Sequence, residues 1–152
     1  AASVFTGRRG PTIKAFNIER AAHDWLITMS LSGMYTRFPN LRIASVENGA
    51  DYLGPMFRKL GQQARKTPQW FDEDPVDLFR RHVWMNPFWE DALEGLVDIM
   101  GPERLLFGSD YPHPEGLGDP VSFVDDLPES LSWEDTARIM GGNLRELLHL
   151  ES

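Results

Sequence analysis

The stretch from Leu105 to Gly116 reads L-L-F-G-S-D-Y-P-H-P-E-G and combines an apolar run with a proline-rich turn. Its first three residues are apolar, as in a short strand that is buried on both faces. Pro112 and Pro114 lack the N–H that a strand ladder needs, so the strand must end near Asp110. A carboxylate at the C-terminal end of a buried strand is a typical functional group in parallel α/β enzymes. The same aspartate could instead close a turn or cap the next helix.

Hydrophobic periodicity predicts that helices and strands alternate along the rest of the chain. The predicted strands lie at residues 41–46, 82–85 and 105–108, and the predicted helices at about residues 17–35, 52–65, 89–100, 120–126, 132–141 and 143–148. Residues 77–81 are expected to form a helical turn or an irregular segment. Asn17, Ser132 and Asn143 are expected to cap their helices, with Asp135 as a capping-box partner of Ser132.

The alternation predicts an α/β fold, because strands that alternate with helices pair in parallel through right-handed crossovers. Three parallel strands with flanking helices amount to a little under half of a (β/α)8 barrel. A complete barrel typically needs about 250 residues, whereas this chain has 152. An open sheet of this size leaves its edges and one face uncovered. We therefore expect either that the natural chain is longer or that something else completes the sheet.

The bulk composition excludes several classes of protein. A net charge of −8 argues against binding to nucleic acid or to an anionic membrane. Cysteine is absent, so the chain has no disulfide, no thiolate nucleophile and no cysteine-ligated metal. No apolar run approaches the length of about 20 residues that a membrane span needs, and no signal peptide is visible. We expect a cytoplasmic protein, and the start at Ala1 rather than Met suggests a processed, cropped or incomplete N-terminus.

The motif F-G-S-D-Y-P-H-P-E-G resembles the last barrel strand of the amidohydrolase-2 family, metal-dependent hydrolases related to amino-carboxymuconate-semialdehyde decarboxylase. Further pieces follow in the family's order: R-F-P-N-L-R-I-A-S-V-E-N-G-A (37–50), V-W-M-N-P-F-W-E-D (83–91), G-P-E-R-L-L-F-G-S-D (101–110) and I-M-G-G-N-L-R-E-L-L (139–148). The likeness begins near Asn17 and concerns the C-terminal half of the family only. It implies that residues 1–152 form a single partial domain, the C-terminal part of a TIM barrel.

The resemblance implies a metal-binding role for Asp110, next to the metal-bound water and in a position to take part in proton transfer. A carboxylate beside a divalent ion can orient or deprotonate coordinated water. Glu47 ends the strand at residues 41–46, where many relatives carry a histidine. It could ligate the metal, bind a cationic group of the substrate, or pair with an arginine. Asp110 and Glu47 are the two predicted metal ligands.

Other candidates surround these two. His113, held between two prolines, could titrate near neutrality and act in catalysis, or it could stabilise its loop. Tyr111 lies in the same turn and is predicted to contact the substrate. Trp84, Asn86 and Trp89 cluster after the strand at residues 82–85 and could form a wall of the substrate pocket, although aromatic residues in such positions are as often part of the core.

The predicted cofactor is a divalent metal, with zinc as the first choice and manganese or iron as alternatives. The family holds its metal with an H-x-H pair on the first strand and a histidine from the fifth. This sequence has no H-x-H pair and no histidine matching that of the fifth strand. A catalytic metal usually has about three protein ligands, so binding to the isolated chain should be weak or absent.

The resemblance implies a metal-dependent hydrolase or carbon–carbon lyase, such as a decarboxylase, that acts on a small organic acid, ester or lactone. Residues outside this chain would complete the site, and the isolated chain could be inactive. The alternative is a non-catalytic half-barrel that acts as an interaction or assembly module. The expected partners are a small-molecule substrate and either a second copy of the chain or a missing N-terminal half, with neither nucleic acid nor membrane involved.

Overall fold

The computed structural model describes Asn17, residues 19–111, His113 and residues 116–150. The helices in these ranges are α1 (Arg20–Leu31), α2 (Met34–Arg37), α3 (Leu53–Lys66), α4 (Pro75–His82), α5 (Leu93–Met100), α6 (Trp133–Ala137) and α7 (Asn143–Leu147). The strands are β1 (Ile43–Ser45) and β2 (Val83–Met85). Short 3-10 segments lie at Pro68–Trp70, Pro102–Arg104 and Pro120–Asp126, and Arg138–Gly142 is π-helical.

The sheet consists of β1 and β2, which pair in parallel with Ala44 opposite Trp84. This confirms the predicted parallel pairing of the first two strands. The third predicted strand, at residues 105–108, is reduced to one parallel bridge between Met85 and Leu105. The prediction of three regular strands was therefore wrong, although the third segment still runs alongside β2.

Side chains explain why the third segment forms no regular ladder. Its Leu106 N–H donates to the Met85 carbonyl at 2.8 Å, which is the strand-like contact. The carbonyl of Leu105 accepts from Asn143 Nδ2 at 2.7 Å, and that of Leu106 accepts from Asn86 Nδ2 at 3.2 Å. Buried backbone groups need partners, and amide side chains can provide them in place of a strand.

The main core lies between the sheet and helices α1, α3, α4 and α5. Successive strand residues point to opposite faces, so Val83, Met85 and Leu105 face this core. Its other large buried side chains come from the helices and from the segments after the sheet: Leu26, Leu53, Met56, Phe57, Phe79, Leu96, Met100, Phe123 and Ile139. The amphipathic α3 was predicted within one residue at each end, since its apolar face recurs at helical spacing.

A second, smaller cluster lies on the opposite face of the sheet. Trp84, Leu106 and Leu147 form it, so α7 covers this side of the strands. The Arg104 guanidinium lies 4.3 Å from the centroid of a Trp84 ring, and that of Arg42 lies 5.8 Å away. Cation–π contacts with two arginines thus surround the only large aromatic side chain of this cluster.

Helix α4 extends beyond the turn that was predicted at residues 77–81. Asp74 caps it by accepting from the Val76 N–H at 2.8 Å, and Pro75 occupies the first helical position, where its missing N–H is not needed. His82 ends this helix rather than starting β2, and its Nδ1 lies 2.7 Å from the Leu41 carbonyl oxygen. The ring is buried and serves to join α4 to the segment before β1.

Two of the predicted helix caps were wrong. Asn17 offers its backbone carbonyl, not its side chain, to the Arg20 N–H at 3.1 Å. Asn143 cannot cap because the π-helical segment leads directly into α7 and the side chain points inward. The Ser132–Asp135 capping box is confirmed, with Ser132 Oγ accepting from the Asp135 N–H at 3.1 Å. Within the described ranges, no helix is both long and apolar enough to span a membrane.

We predict that Asn143→Ala destabilises the fold by about 2–3 kcal/mol, because two buried carbonyls lose their donor. Asn143 is fully buried and donates to the carbonyls of Pro102 and Leu105, each at 2.7 Å. Urea unfolding would measure the change. Leu144→Ala, on the exposed side of α7, is the control and should change stability by less than about 0.5 kcal/mol. Equal effects of the two substitutions would contradict the role of Asn143.

Candidate functional site

The candidate site lies where β1 and the third segment end, at the same edge of the sheet. Glu47 follows β1 by two residues, and Asp110 and His113 follow the third segment. One potential ligand atom from each of these three side chains lies within 4.8 Å of the other two. The structure thus brings together both predicted metal ligands and adds His113 to them.

His113 is tied to Asp110 by two contacts. Its ring Nδ1 lies 2.8 Å from Asp110 Oδ1, and its backbone N–H donates to the Asp110 carbonyl at 2.8 Å. A neutral imidazole that donates from Nδ1 has its lone pair on Nε2, the atom that can bind a metal or take a proton. Gly116 packs closely behind this turn, because a Cβ there would lie 3.0 Å from the Ser109 carbonyl oxygen.

Backbone strain is concentrated at the site. Glu47 has φ 57° and Asp110 has φ 55°, both in the left-handed region that residues other than glycine rarely adopt. Among the described residues other than glycine, only His149, near the C-terminus, shares this property. Each such residue costs about 1–2 kcal/mol, and strain of this kind accumulates at functional positions. Two strained carboxylate residues therefore lie close together where the strands end.

The turn that carries Glu47 is confined on several sides. Asn48 Nδ2 donates to the Val46 carbonyl at 2.6 Å, which closes the turn locally. Gly49 has φ 63°, and a Cβ there would lie 2.3 Å from Glu19 Oε1 and 3.1 Å from the Phe88 ring. Any other residue at this position would be strained by the dihedral angle and would press on the Phe88 ring. The direction of Glu47 is therefore set by a tight turn and not by a flexible loop.

The aromatic wall predicted from the sequence divides into buried and exposed residues. Trp84 is 3% exposed and belongs to the cluster beneath α7, and Asn86 is 8% exposed with its amide on the Leu106 carbonyl. Neither has the accessible surface that contact with a substrate requires, so the structure assigns both to the interior. Trp89 and Tyr111 are 44% and 84% exposed. Their contact with a substrate stays a prediction.

The donor set fits a divalent metal. Two carboxylates and one imidazole are ligands that zinc, manganese and iron accept in proteins. Three protein ligands also match the number that a catalytic metal usually has. The sequence provided two candidate ligands, and the structure places His113 beside them as a third candidate. Its position three residues after Asp110, in a proline-rich stretch of sequence, was the signal that could have identified it as a candidate ligand.

An acidic cluster behind the site was not found from the sequence. Asp91, which precedes α5, accepts the N–H of Phe88 at 2.8 Å and of Ala50 at 2.9 Å on the same oxygen, Oδ2. Partial burial, with repulsion from Asp51 and Glu19, raises the pKa of Asp91 to about 6, although the two hydrogen bonds oppose the rise. The pKa of Glu19 is also raised, first by burial and then by Asp51.

Comparison with known protein families identifies the family of this chain. The amidohydrolase family model matches residues 19–150, most of the chain. The chain belongs to the amidohydrolase-2 family. One curated member, the 2-amino-3-carboxymuconate-6-semialdehyde decarboxylase of Dictyostelium discoideum, is 25% identical across 83% of this chain. The chain spans 36% of the length of that enzyme.

Solved structures of the amidohydrolase type share the fold. An amidohydrolase from Mycobacterium avium subsp. paratuberculosis K-10 superposes with a TM-score of 0.86 and 38% identity, over 99% of this chain and 38% of that one. A dihydroxybenzoic acid decarboxylase from Polaromonas sp. JS666, solved with manganese and 2-nitroresorcinol, has a TM-score of 0.68 and 20% identity, over 87% and 41% of the two chains. Across these relatives, this amidohydrolase-2 chain corresponds to about two-fifths of their length.

We predict that Asp91 makes stability depend on pH. The pKa of this carboxyl rises on folding from 3.8 to about 6. Its contribution to the stability of the fold is therefore fully present below a pH of about 4 and is lost as the pH rises through about 6. The difference would be about 3 kcal/mol for a fully buried group, and solvent access reduces it to about 1 kcal/mol. Asp91→Asn should therefore exceed the wild type in free energy of unfolding at pH 8 but not at pH 4.

Urea unfolding at the two pH values would measure this difference. Asp98→Asn, at an exposed position of α5, makes the same change of charge and should give an offset that hardly varies with pH. An Asp91→Asn offset that is equal at pH 4 and pH 8 would show that folding does not perturb this carboxyl.

Proposed function

We propose that this chain is the C-terminal part of a (β/α)8-barrel enzyme of the amidohydrolase-2 family. It would act on a small organic acid, ester or lactone, by decarboxylation or by hydrolysis, with a divalent metal. The supporting observation is the group of Glu47, Asp110 and His113 at the C-terminal edge of a parallel sheet, with two of its members in strained backbone. In barrel enzymes the active site lies at this edge.

The three side chains would share the binding of the metal. A divalent ion held there would polarise a carbonyl or carboxylate group of the substrate. Glu47 stands where many relatives have a histidine, and replacing an imidazole by a carboxylate makes the donor set harder. Harder donors shift the preference from zinc towards manganese. The manganese in the Polaromonas decarboxylase agrees with this choice.

Asp110 is the group proposed to move a proton. In a decarboxylation, the carbon–carbon bond breaks, its electron pair stays on the substrate carbon, carbon dioxide leaves and that carbon takes up a proton. Asp110 would deliver or relay this proton, and in a hydrolysis it would take one from the attacking water. His113 Nδ1, at 2.8 Å from Asp110 Oδ1, fixes the carboxylate and can share the proton.

Residues outside this sequence would complete the site. The chain spans less than half the length of its relatives, and the family's H-x-H pair is missing from it. The missing N-terminal half would supply the remaining strands and ligands. A small molecule is the proposed substrate, and the cytoplasm is the proposed location, with no role for nucleic acid or membranes.

A second candidate function, as an assembly module, is favoured by one observation. In the described ranges β1 pairs only with β2, so the lateral edge of β1 that faces away from β2 is open. Beside that edge lies a groove of about 340 Å³ lined by apolar residues that include Ala22, Trp25 and Ala44, and Val46 next to it is 51% exposed. Such an edge can bind another strand.

We predict that Asp110→Asn lowers kcat by at least about a hundredfold in an active enzyme that contains this chain, the low end for loss of a positioned acid–base group. Asn keeps the size of the side chain and one acceptor oxygen but loses the charge. Steady-state kinetics, metal content and thermal melts would be measured together. Turnover near the wild-type rate would leave Asp110 as a turn residue only.

Glu47→Gln is the matched comparison for that experiment. If Glu47 is a metal ligand, metal content should fall with both substitutions, whereas a residue that only lines the pocket would change substrate affinity more than kcat. Asp126→Asn, in an exposed segment far along the chain, removes a charge of the same kind and should leave kcat and metal content unchanged.

We also predict that the 152-residue chain self-associates at micromolar concentration. Apolar surface left in water costs about 25 cal/mol per Å², and the open side of β1 exposes such surface. Light scattering would give the mass, and Val46→Glu should shift the population towards monomer by placing a charge on this side. A compact wild-type monomer would argue against the assembly function and against an unprotected edge.

A further inference from the structure

A single oxygen atom joins the two loops that leave the paired strands. Asp91 Oδ2 accepts from Phe88 N–H, in its own loop after β2, and from Ala50 N–H, in the loop after β1. The two distances are 2.8 and 2.9 Å, ordinary lengths for hydrogen bonds from backbone amides to a carboxylate. Ala50 is fully buried, so its N–H has no access to water as an alternative partner.

The connection is made in both directions. Asp51, in the loop after β1, accepts at Oδ1 from the Ala92 N–H in the loop after β2, at 3.1 Å. Each loop therefore supplies one carboxylate and one backbone donor to the other. We name these two bonds, from Ala50 to Asp91 and from Ala92 to Asp51, the crossed clamp.

The crossed clamp holds the turn that presents Glu47. Ala50 lies three residues after Glu47, and the residues between them have little freedom because Asn48 bonds back to Val46 and Gly49 is enclosed by Glu19 and Phe88. A displacement of Ala50 must therefore move the turn as a unit. Since Glu47 occupies a strained left-handed conformation, the turn would relax if this anchor were removed.

We propose that Asp91 is a positioning residue, which clamps the Glu47 turn to the loop after β2 and thereby fixes where the Glu47 carboxylate lies relative to Asp110 and His113. The proposal rests on the proposed function in taking Glu47 as a metal ligand. Loss of a residue that orients a metal ligand typically lowers the metal affinity by about 10–100-fold. Asp91 itself contacts no substrate and no metal.

The charge distribution supports a positioning role over a stabilising one. Asp51, Glu19 and the Tyr52 ring face Asp91 from the neighbouring segments, and both carboxylates repel it. Burial and this repulsion raise the pKa of Asp91 to about 6, so the ionised form that binds two N–H groups most strongly is the one that folding disfavours. At neutral pH the Asp91 carboxylate therefore costs stability while its Oδ2 still accepts both N–H groups.

Manganese binding to the 152-residue chain at pH 7.5 would test the proposal. Electron paramagnetic resonance of free Mn²⁺ would give the dissociation constant for the wild type and the variants. Asp91→Ala should weaken binding by about tenfold or more, in the same direction as Glu47→Gln. Asp91→Asn keeps an acceptor oxygen for the two N–H groups and should recover most of the affinity. Glu94→Ala, on the exposed first turn of α5, should have no effect.

Amide exchange and chemical shifts of Glu47, Asn48 and Gly49 would be recorded on the same samples. Asp91→Ala should accelerate amide exchange in this turn by about tenfold or more, and Asp91→Asn should not, because opening of a local hydrogen-bonded unit sets these rates. Two results would overturn the proposal. The first is unchanged amide exchange of the Glu47 turn in Asp91→Ala. The second is an unchanged Mn²⁺ affinity of Asp91→Ala when Glu47→Gln weakens Mn²⁺ binding. If the wild-type chain binds Mn²⁺ too weakly for this comparison, the exchange rates alone decide the clamp: faster exchange in Asp91→Ala supports it, and unchanged exchange overturns it.

Discussion

The hydrogen bond from the Leu106 N–H to the Met85 carbonyl is the contact on which the site depends. It holds the third segment parallel to β2 although no regular ladder forms there. Asn86 and Asn143 then donate to the neighbouring carbonyls of Leu106 and Leu105, so these buried groups are satisfied without a further strand. Because this segment leads directly to Asp110, its alignment with β2 determines how near Asp110 comes to Glu47, which follows the end of β1.

The apolar core that stabilises the fold lies away from the site, and its stability allows the backbone of the site to be strained. The main core lies between the sheet and four helices, and it contains fully buried side chains such as Leu53 and Phe79. The site itself contains two left-handed residues, Glu47 and Asp110, with three clustered carboxylates behind them. A large core can tolerate such unfavourable local terms, and functional sites are where they accumulate.

Sequence patterns predicted the parts of this structure that depend on local periodicity or on strand direction. Helix α3 was predicted closely because its apolar face repeats every three to four residues, and Glu47 and Asp110 were expected to meet because parallel strands end at one edge. The third strand was overpredicted because the side chain of Asn143 replaces a strand from 38 residues away. Asp91 was missed for the same reason, since its partner Ala50 lies 41 residues earlier in the chain.

The crossed clamp also has a consequence for how this family can vary. Each of the two loops provides a backbone donor whose position depends on the length of its own loop, and a carboxylate whose position must suit the other. An insertion or deletion in one loop would move its donor and its acceptor together, and both bonds would break. The loops after β1 and β2 should therefore be inherited as a pair, and transplanting one of them into a related barrel would succeed only if the other is transplanted with it.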